Sequence, residues 1–252
     1  MTITKKLPEG LTLFHFKTLD STNKTAVEMA SSNASSGTIV WADSQKNGKG
    51  RNNRTWISEF GNLYSSIILR PERAIEHISQ LTFLGPLAIG DLIENIDSNI
   101  EYTFKWPNDV LVAGRKICGI LLQSGSWEKT HDKWIVLGCG LNLVSFPQNT
   151  KTPATSLFEE TNRSFILEEV LISYYTFFSK WYDIWLKDGF LSIREAWLDK
   201  SHPVGQPLVT QITSDKKICG QFLGIDENGA LLIVTKKGEV RINAGDVFID
   251  RG

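Results

Sequence analysis

The chain is predicted to be α+β: a main domain over residues 1–203 and a small antiparallel β-barrel over 204–252. Two observations lead there. Before His202 and Pro203, apolar runs of strand length alternate with longer stretches of helical spacing. After them only short strand-like runs remain, joined by turn residues. The length of 252 residues suits one large domain with a small one, and 41% hydrophobic against 22% charged residues gives a real core.

Each element has its own reason. "LDSTNKTAVEMASSN" offers capping residues before a mildly amphipathic stretch, so a helix should begin near Ser21 or Thr22. "GTIVWAD" (37–43) and "NLYSSIIL" (62–69) are apolar runs that read as strands. Residues 74–96 have helical spacing, interrupted by a kink or break at Gly85 and Pro86. Four strand-like runs follow: "EYTFKW", "DVLV", "KICGILLQ" and "WIVLGCGLN". The "AG" at 113–114 between the second and third is a hairpin tip, because Gly114 accepts a positive φ. A long amphipathic helix over 166–189 closes at Gly189, and "FLSIREAWLDK" makes another. The barrel strands are "GQPLVTQI", "ICGQFLGI", "ALLIVT", "EVRI" and "DVFI".

Charge and cysteine usage narrow the function classes. With 27 basic and 28 acidic residues, broad attraction to nucleic acid or a membrane surface is not expected. No stretch approaches the ~18 apolar residues of a membrane span, and the first twenty residues lack a signal-type apolar run. Cys118, Cys139 and Cys219 are widely separated with no CxxC spacing, so all three are expected to be reduced core thiols. The cytoplasm is the expected compartment.

Three segments look chemical. "QKNGKGRNNRTW" (45–56) carries Gly48, Gly50 and the cations Lys46, Lys49, Arg51 and Arg54, with no apolar side chain before Trp56. It cannot order by burying itself; it is either a solvated basic loop or a cover that closes on a phosphate-bearing ligand. It lacks the GxxxxGK[ST] spacing of a Walker A loop. "KWPNDVLVAGRKICGIL" (105–121) sets Lys105, Asn108, Asp109 and Lys116 among apolar residues. Lys116 either snorkels to the surface or aims into a pocket, and Gly119 leaves space for a ligand against the strand. Asn108 and Asp109 either cap a turn or reach the same pocket. "GCGLN" (138–142) is a tight turn or a backbone brought near a ligand.

In order and spacing these segments resemble the biotin protein ligases, which attach biotin to a carboxylase carrier domain. The matching pieces are "STN" (21–23), Gln45, "GKGRNNRTW" (48–56), "GNLYSS" (61–66), "KWPND" (105–109), "GRKICGILLQ" (114–123) and "GCGLN". The resemblance implies a mixed-sheet catalytic domain with an SH3-like C-terminal barrel. It places Ser21, Thr22, Asn23 and Gln45 at biotin, and Lys49, Gly50 and Arg51 over biotin and its adenylate. Trp56 then closes the nucleotide side, Lys116 holds the biotin carboxylate and reacting phosphate, and Asn142 contacts the adenine. Lys105, Asn108 and Gly119 complete the binding set. The sequence departs from the frequent "GRGRRGR" loop at Lys49, Asn52 and Asn53, and the effect of that on loop ordering is open.

The implied chemistry joins biotin to ATP as biotinyl-5′-adenylate, then transfers biotin to a lysine of a biotin carboxyl carrier domain. Catalytic roles fall on Lys116 and Arg51, with Asp109 to orient the acceptor amine or take its proton. Mg2+ is expected on the phosphates, with no dedicated protein metal site. A lipoate ligase of the same fold is the nearest rival, and a non-catalytic regulator the more distant one. DNA binding is not expected, since "STN" begins at residue 21 and leaves no space before it for a helix-turn-helix domain. A homodimer is possible.

Overall fold

The computed structural model describes residues 6–71, 75–126, 133–148, 150, 152–213 and 215–249. Its main sheet has seven strands: β1 (Thr12–Leu19), β2 (Thr38–Gln45), β3 (Leu63–Leu69), β4 (Tyr102–Lys105), β5 (Asp109–Val112), β6 (Arg115–Ser126) and β7 (Lys133–Leu141). They lie in the order β1-β2-β3-β7-β6-β5-β4. Only β1 and β2 run parallel, joined through helix α1 (Thr22–Ser31); every other pairing is antiparallel, so the sheet is mixed. β3 is buried along its whole length because both faces are covered. On one face α1 sets Ala26 and Ala30 against Val40, Ile68 and Val136. On the other lie α2 (Leu84–Ile96) and α4 (Leu167–Asp188), whose apolar stripes bury Leu87, Ile93, Tyr174 and Phe178 in the main core.

Helices α3 (Leu157–Thr161) and α5 (Phe190–Asp199) complete the main domain. The five remaining strands are β8 (Pro207–Gln211), β9 (Lys217–Ile225), β10 (Leu231–Thr235), β11 (Gly238–Ile242) and β12 (Asp246–Ile249). They form a separate antiparallel sheet in the order β11-β10-β9-β8-β12. Leu208, Phe222, Leu231 and Ile233 from this sheet join the same apolar core as α2 and α4. Polar ties cross the junction as well, among them Trp106 Nε1 donating to Gly229 O at 2.9 Å, Arg194 Nε to Ile225 O at 2.7 Å and Gln80 Nε2 to Glu227 O at 3.2 Å. The small domain is thus fastened beside the "KWPND" turn.

Several expectations need amendment. β1 went unread because "TLFHFKTL" is an edge strand with His15 and Lys17 outward, and its burial is only partial. The helix expected over 74–96 is a 3₁₀ run (Ile75–Phe83) followed by α2, and Ala74 lies outside the described residues. The kink or break expected at Gly85 and Pro86 is the change from 3₁₀ to α at Phe83 and Leu84; both residues sit in the first turn of α2, where a missing N–H costs no bond. Both Ala113 (φ 49°) and Gly114 (φ 72°) are left-handed at the β5–β6 tip. Cys118 and Cys139 are buried with their sulfurs 3.8 Å apart, but Cys219 is exposed, because it falls on the outward side of β9's alternation.

His202 at the junction carries a pH prediction. Burial, and secondarily the Lys105 ammonium, push its imidazole down to about 4, and its Nε2 is buried without a protein partner. The folded state therefore refuses a proton that the unfolded chain accepts. That stability is full above ~6.5 and is lost as pH falls toward 4, by at most about 3 kcal/mol. Denaturant titrations of wild type and His202→Gln at pH 7.5 and 4.5 check this; the variant should lose less.

Candidate active site

One cavity of about 440 Å³ opens where β6, β7, the start of α1, the 48–57 loop and β12 meet. Ser21, Thr22, Asn23, Gln45, Lys49, Gly50, Arg51, Trp56, Lys105, Asn108, Asp109, Lys116, Gly119 and Asn142 all line it, so the sequence-derived candidates converge. Five lining cations (Lys49, Arg51, Arg54, Lys105, Lys116) face two carboxylates (Asp109, Asp246), an excess of three positive charges. A site of that sign selects an anionic ligand.

The α1 end is built by exchange of polar groups. Ser21 occupies the N-cap but makes no capping bond with its side chain. Gln45 Oε1 caps instead, accepting from Thr22 N at 2.7 Å and Thr22 Oγ1 at 3.1 Å, while its amide donates to Ser58 Oγ at 2.8 Å. Asn23 donates to Gln123 Oε1 at 3.0 Å and accepts from Ser66 Oγ at 2.7 Å. A neutral wall of fixed amides and hydroxyls results.

The charged end centres on Asp109. Its residues enter on β4 and β5, whose register places Lys105 opposite Asp109; the Trp106–Pro107 peptide between them is cis. Lys105 Nζ lies 3.0 Å from Asp109 Oδ2 and Lys116 Nζ 2.5 Å from Oδ1. Burial raises the Asp109 carboxyl, but the Lys116 and then the Lys105 ammonium more than reverse this and hold it at about 2. Asn108 brackets the β6 backbone, donating to Ile120 O at 2.5 Å, and its Oδ1 accepts from Arg51 Nη1 at 3.3 Å. Asn142, 2% exposed, donates to Thr155 O at 2.9 Å and so pins the 153–157 segment against the cavity rim.

The glycines serve side chains before they serve a ligand. A Cβ at Gly119 would meet Trp56 and Lys116 Nζ at 3.0 Å, and one at Gly140 would meet the Trp56 ring at 2.6 Å. Trp56 lies on the β6–β7 floor against Gly119, which also lines the cavity. Lys116 Nζ sits 5.2 Å from the Trp56 ring centroid, a cation–π contact. Trp56 Nε1 is buried without a protein partner at the cavity wall.

The 48–56 loop is a small hairpin. Gly50 N donates to Arg54 O at 2.7 Å and Trp56 N to Gly48 O at 2.8 Å. Its tip turns through two left-handed residues, Asn52 (φ 54°) and Asn53 (φ 57°). Asparagine is among the few residues that accept this region, so the departure from glycine preserves the turn. Arg54, Trp106, Gly138 and Gly140, which lie in the chemical segments but were given no site role, line the cavity, as do the β12 residues Asp246, Val247 and Phe248, which were not among the sequence candidates. Arg54 was legible as a retained loop cation; the β12 residues carried no local signal.

A sheet-borne wall of amides and hydroxyls beside a cationic, glycine-floored pocket makes a cavity suited to an anionic small molecule. The chain belongs to the biotin/lipoate A/B protein ligase family, which matches residues 15–142, and the biotin protein ligase C terminal domain matches residues 209–250. It is 34% identical to the bifunctional ligase/repressor BirA of Bacillus subtilis, over 94% of this chain and 74% of that one. It is 33% identical to the biotin–[acetyl-CoA-carboxylase] ligase of Paracoccus denitrificans, over 91% and 97%. The biotin protein ligase from Aquifex aeolicus in complex with biotin and ATP superposes with a TM-score of 0.81 at 29% identity, covering 95% of this chain and 99% of that one.

Proposed function

We infer that this protein is an ATP-dependent biotin protein ligase, forming biotinyl-5′-adenylate and passing biotin to a lysine of a carrier domain. The observation that supports it most is Lys116 held at a carboxylate beside a neutral amide wall, inside a pocket of net positive charge.

In the first step a biotin carboxylate oxygen attacks the α-phosphorus of ATP. The bond from phosphorus to the bridging oxygen breaks, and pyrophosphate leaves with its electrons. Two anions must meet, which costs several kcal/mol in a partly dry site. Lys116 and Arg51 supply the opposing charge and stabilise the oxygens that gain charge in the transition state. Trp56 and the loop above it exclude water from the mixed anhydride. In the second step a neutral lysine amine attacks the acyl carbon, the bond from that carbon to the phosphate oxygen breaks, AMP departs with its electrons, and the amine's proton passes to the departing phosphate or to solvent. Asp109, held at about 2, is a weak acceptor for an amine proton, so its geometry favours orienting ammonium groups over acting as base.

Among the described residues no group of three or more His, Cys, Asp or Glu side chains is placed to hold a metal ion. A divalent ion would enter on the nucleotide phosphates, where it neutralises charge. No helix among the described residues is long and apolar enough to cross a membrane.

The test is the intact mass of a purified biotin carrier domain after incubation with this protein, ATP, magnesium and either biotin or lipoate. A gain of one biotinyl group with biotin alone is expected. Modification by lipoate alone would transfer the site to the rival acid.

A further inference from the structure

The loop over the cavity has one polar attachment outside its own domain. Asp246, the first residue of β12, lies 192 positions along the chain from Arg54. Arg54 Nη2 donates to its Oδ1 at 2.7 Å, Asn52 Nδ2 reaches its Oδ2 at 3.4 Å, and Arg51 Nη1 stands 4.0 Å from Oδ1. Three consecutive-turn side chains therefore converge on one carboxylate. The convergence depends on the local fold: with Asn52 and Asn53 both left-handed, the tip reverses and presents residues 51, 52 and 54 to the same side. No residue of the Arg51–Asn53 turn is itself buried, so its position rests on hydrogen bonds and charge. Asp246 is held on a fixed strand, paired through the β8–β12 ladder opposite Gln211.

We propose that Asp246 is a positioning residue of the small domain: it latches the 48–56 hairpin shut over the cavity and thereby retains the reactive adenylate between the two steps. This deepens the proposed function and rests on it for the retention. The latch itself is geometric and stands apart. It also gives the C-terminal domain a defined part in the site, since Asp246 reaches the cavity through the very residues that cover it.

Two readouts test it. The first needs no ligand. Trypsin cleaves after Lys49, Arg51 and Arg54, so limited proteolysis mapped by mass spectrometry reports loop opening. Asp246→Asn should be cut at these sites roughly tenfold faster than wild type, and Asp246→Glu should restore most of the protection. The second is release of preformed biotinyl-adenylate, followed by its appearance free in solution and on bystander lysines. It should quicken by a similar factor in Asp246→Asn. Arg54→Gln approaches the same contact from an exposed side chain, and its effect should vanish in the Asp246→Asn background. Unchanged cleavage and unchanged release in a folded Asp246→Asn protein would overturn the latch. So would losses that follow only a lowered Tm and are not restored by Asp246→Glu. If wild type holds no adenylate yet the loop opens in the variant, the latch survives and the ligase reading fails.

Discussion

Lys116→Met should lower the rate of adenylate formation by about 10²–10³ while leaving the fold intact. The estimate follows from removing one preorganised charge from a site where charge develops, an effect of ~2.7–4 kcal/mol elsewhere. Methionine is the better probe than alanine because it keeps the stem that lies against Trp56 and the floor at Gly119. The loss should appear in biotin-dependent exchange of labelled pyrophosphate into ATP. It should equal the loss measured in a single turnover, since both report the same adenylation step. A variant exchanging within threefold of wild type would remove Lys116 from the chemistry.

Asp109→Ala should be the most damaging change to stability. Asp109 stands between two ammonium groups whose side chains are 9% and 24% exposed. Without it, Lys105 and Lys116 become neighbouring like charges in a confined space, and removing one partner of a buried pair costs about 3–5 kcal/mol. Denaturant unfolding at pH 7 measures this. The sign of the pH dependence is fixed as well. The folded carboxyl titrates at about 2, below the unfolded value of 3.8, so its contribution is full above ~3.8 and fades as pH falls through 2. Asp109→Asn separates the two roles considered for this residue. A positioning role lowers adenylation and transfer together. A base role would spare adenylation and slow only transfer from preformed adenylate.

Much of this site could be read from local sequence. Lys105, Asn108, Asp109 and Lys116 sit within twelve residues, and three antiparallel strands joined by two tight turns bring them together. Gln45 and the Ser21–Asn23 cap are neighbours because β1 and β2 pair in parallel, a contact that a motif implies but does not display. β1 itself stayed hidden, for an edge strand with outward polar residues lacks the apolar run that marks its buried neighbours. At Gly119 a close approach was legible, but its partner was not. A glycine declares that something approaches closely, and only the fold reveals that Trp56 is what approaches. Asp246 was out of reach altogether, because nothing near it in the chain hints at partners 192 residues away.

The binding of biotin and of its uncharged alcohol, biotinol, to wild type and Lys116→Met by calorimetry isolates the role of charge in the pocket. Wild type should prefer biotin, and the variant should lose affinity for biotin while binding biotinol as wild type does. Equal losses for both ligands, or none for either, would contradict the claim that this ammonium meets the carboxylate.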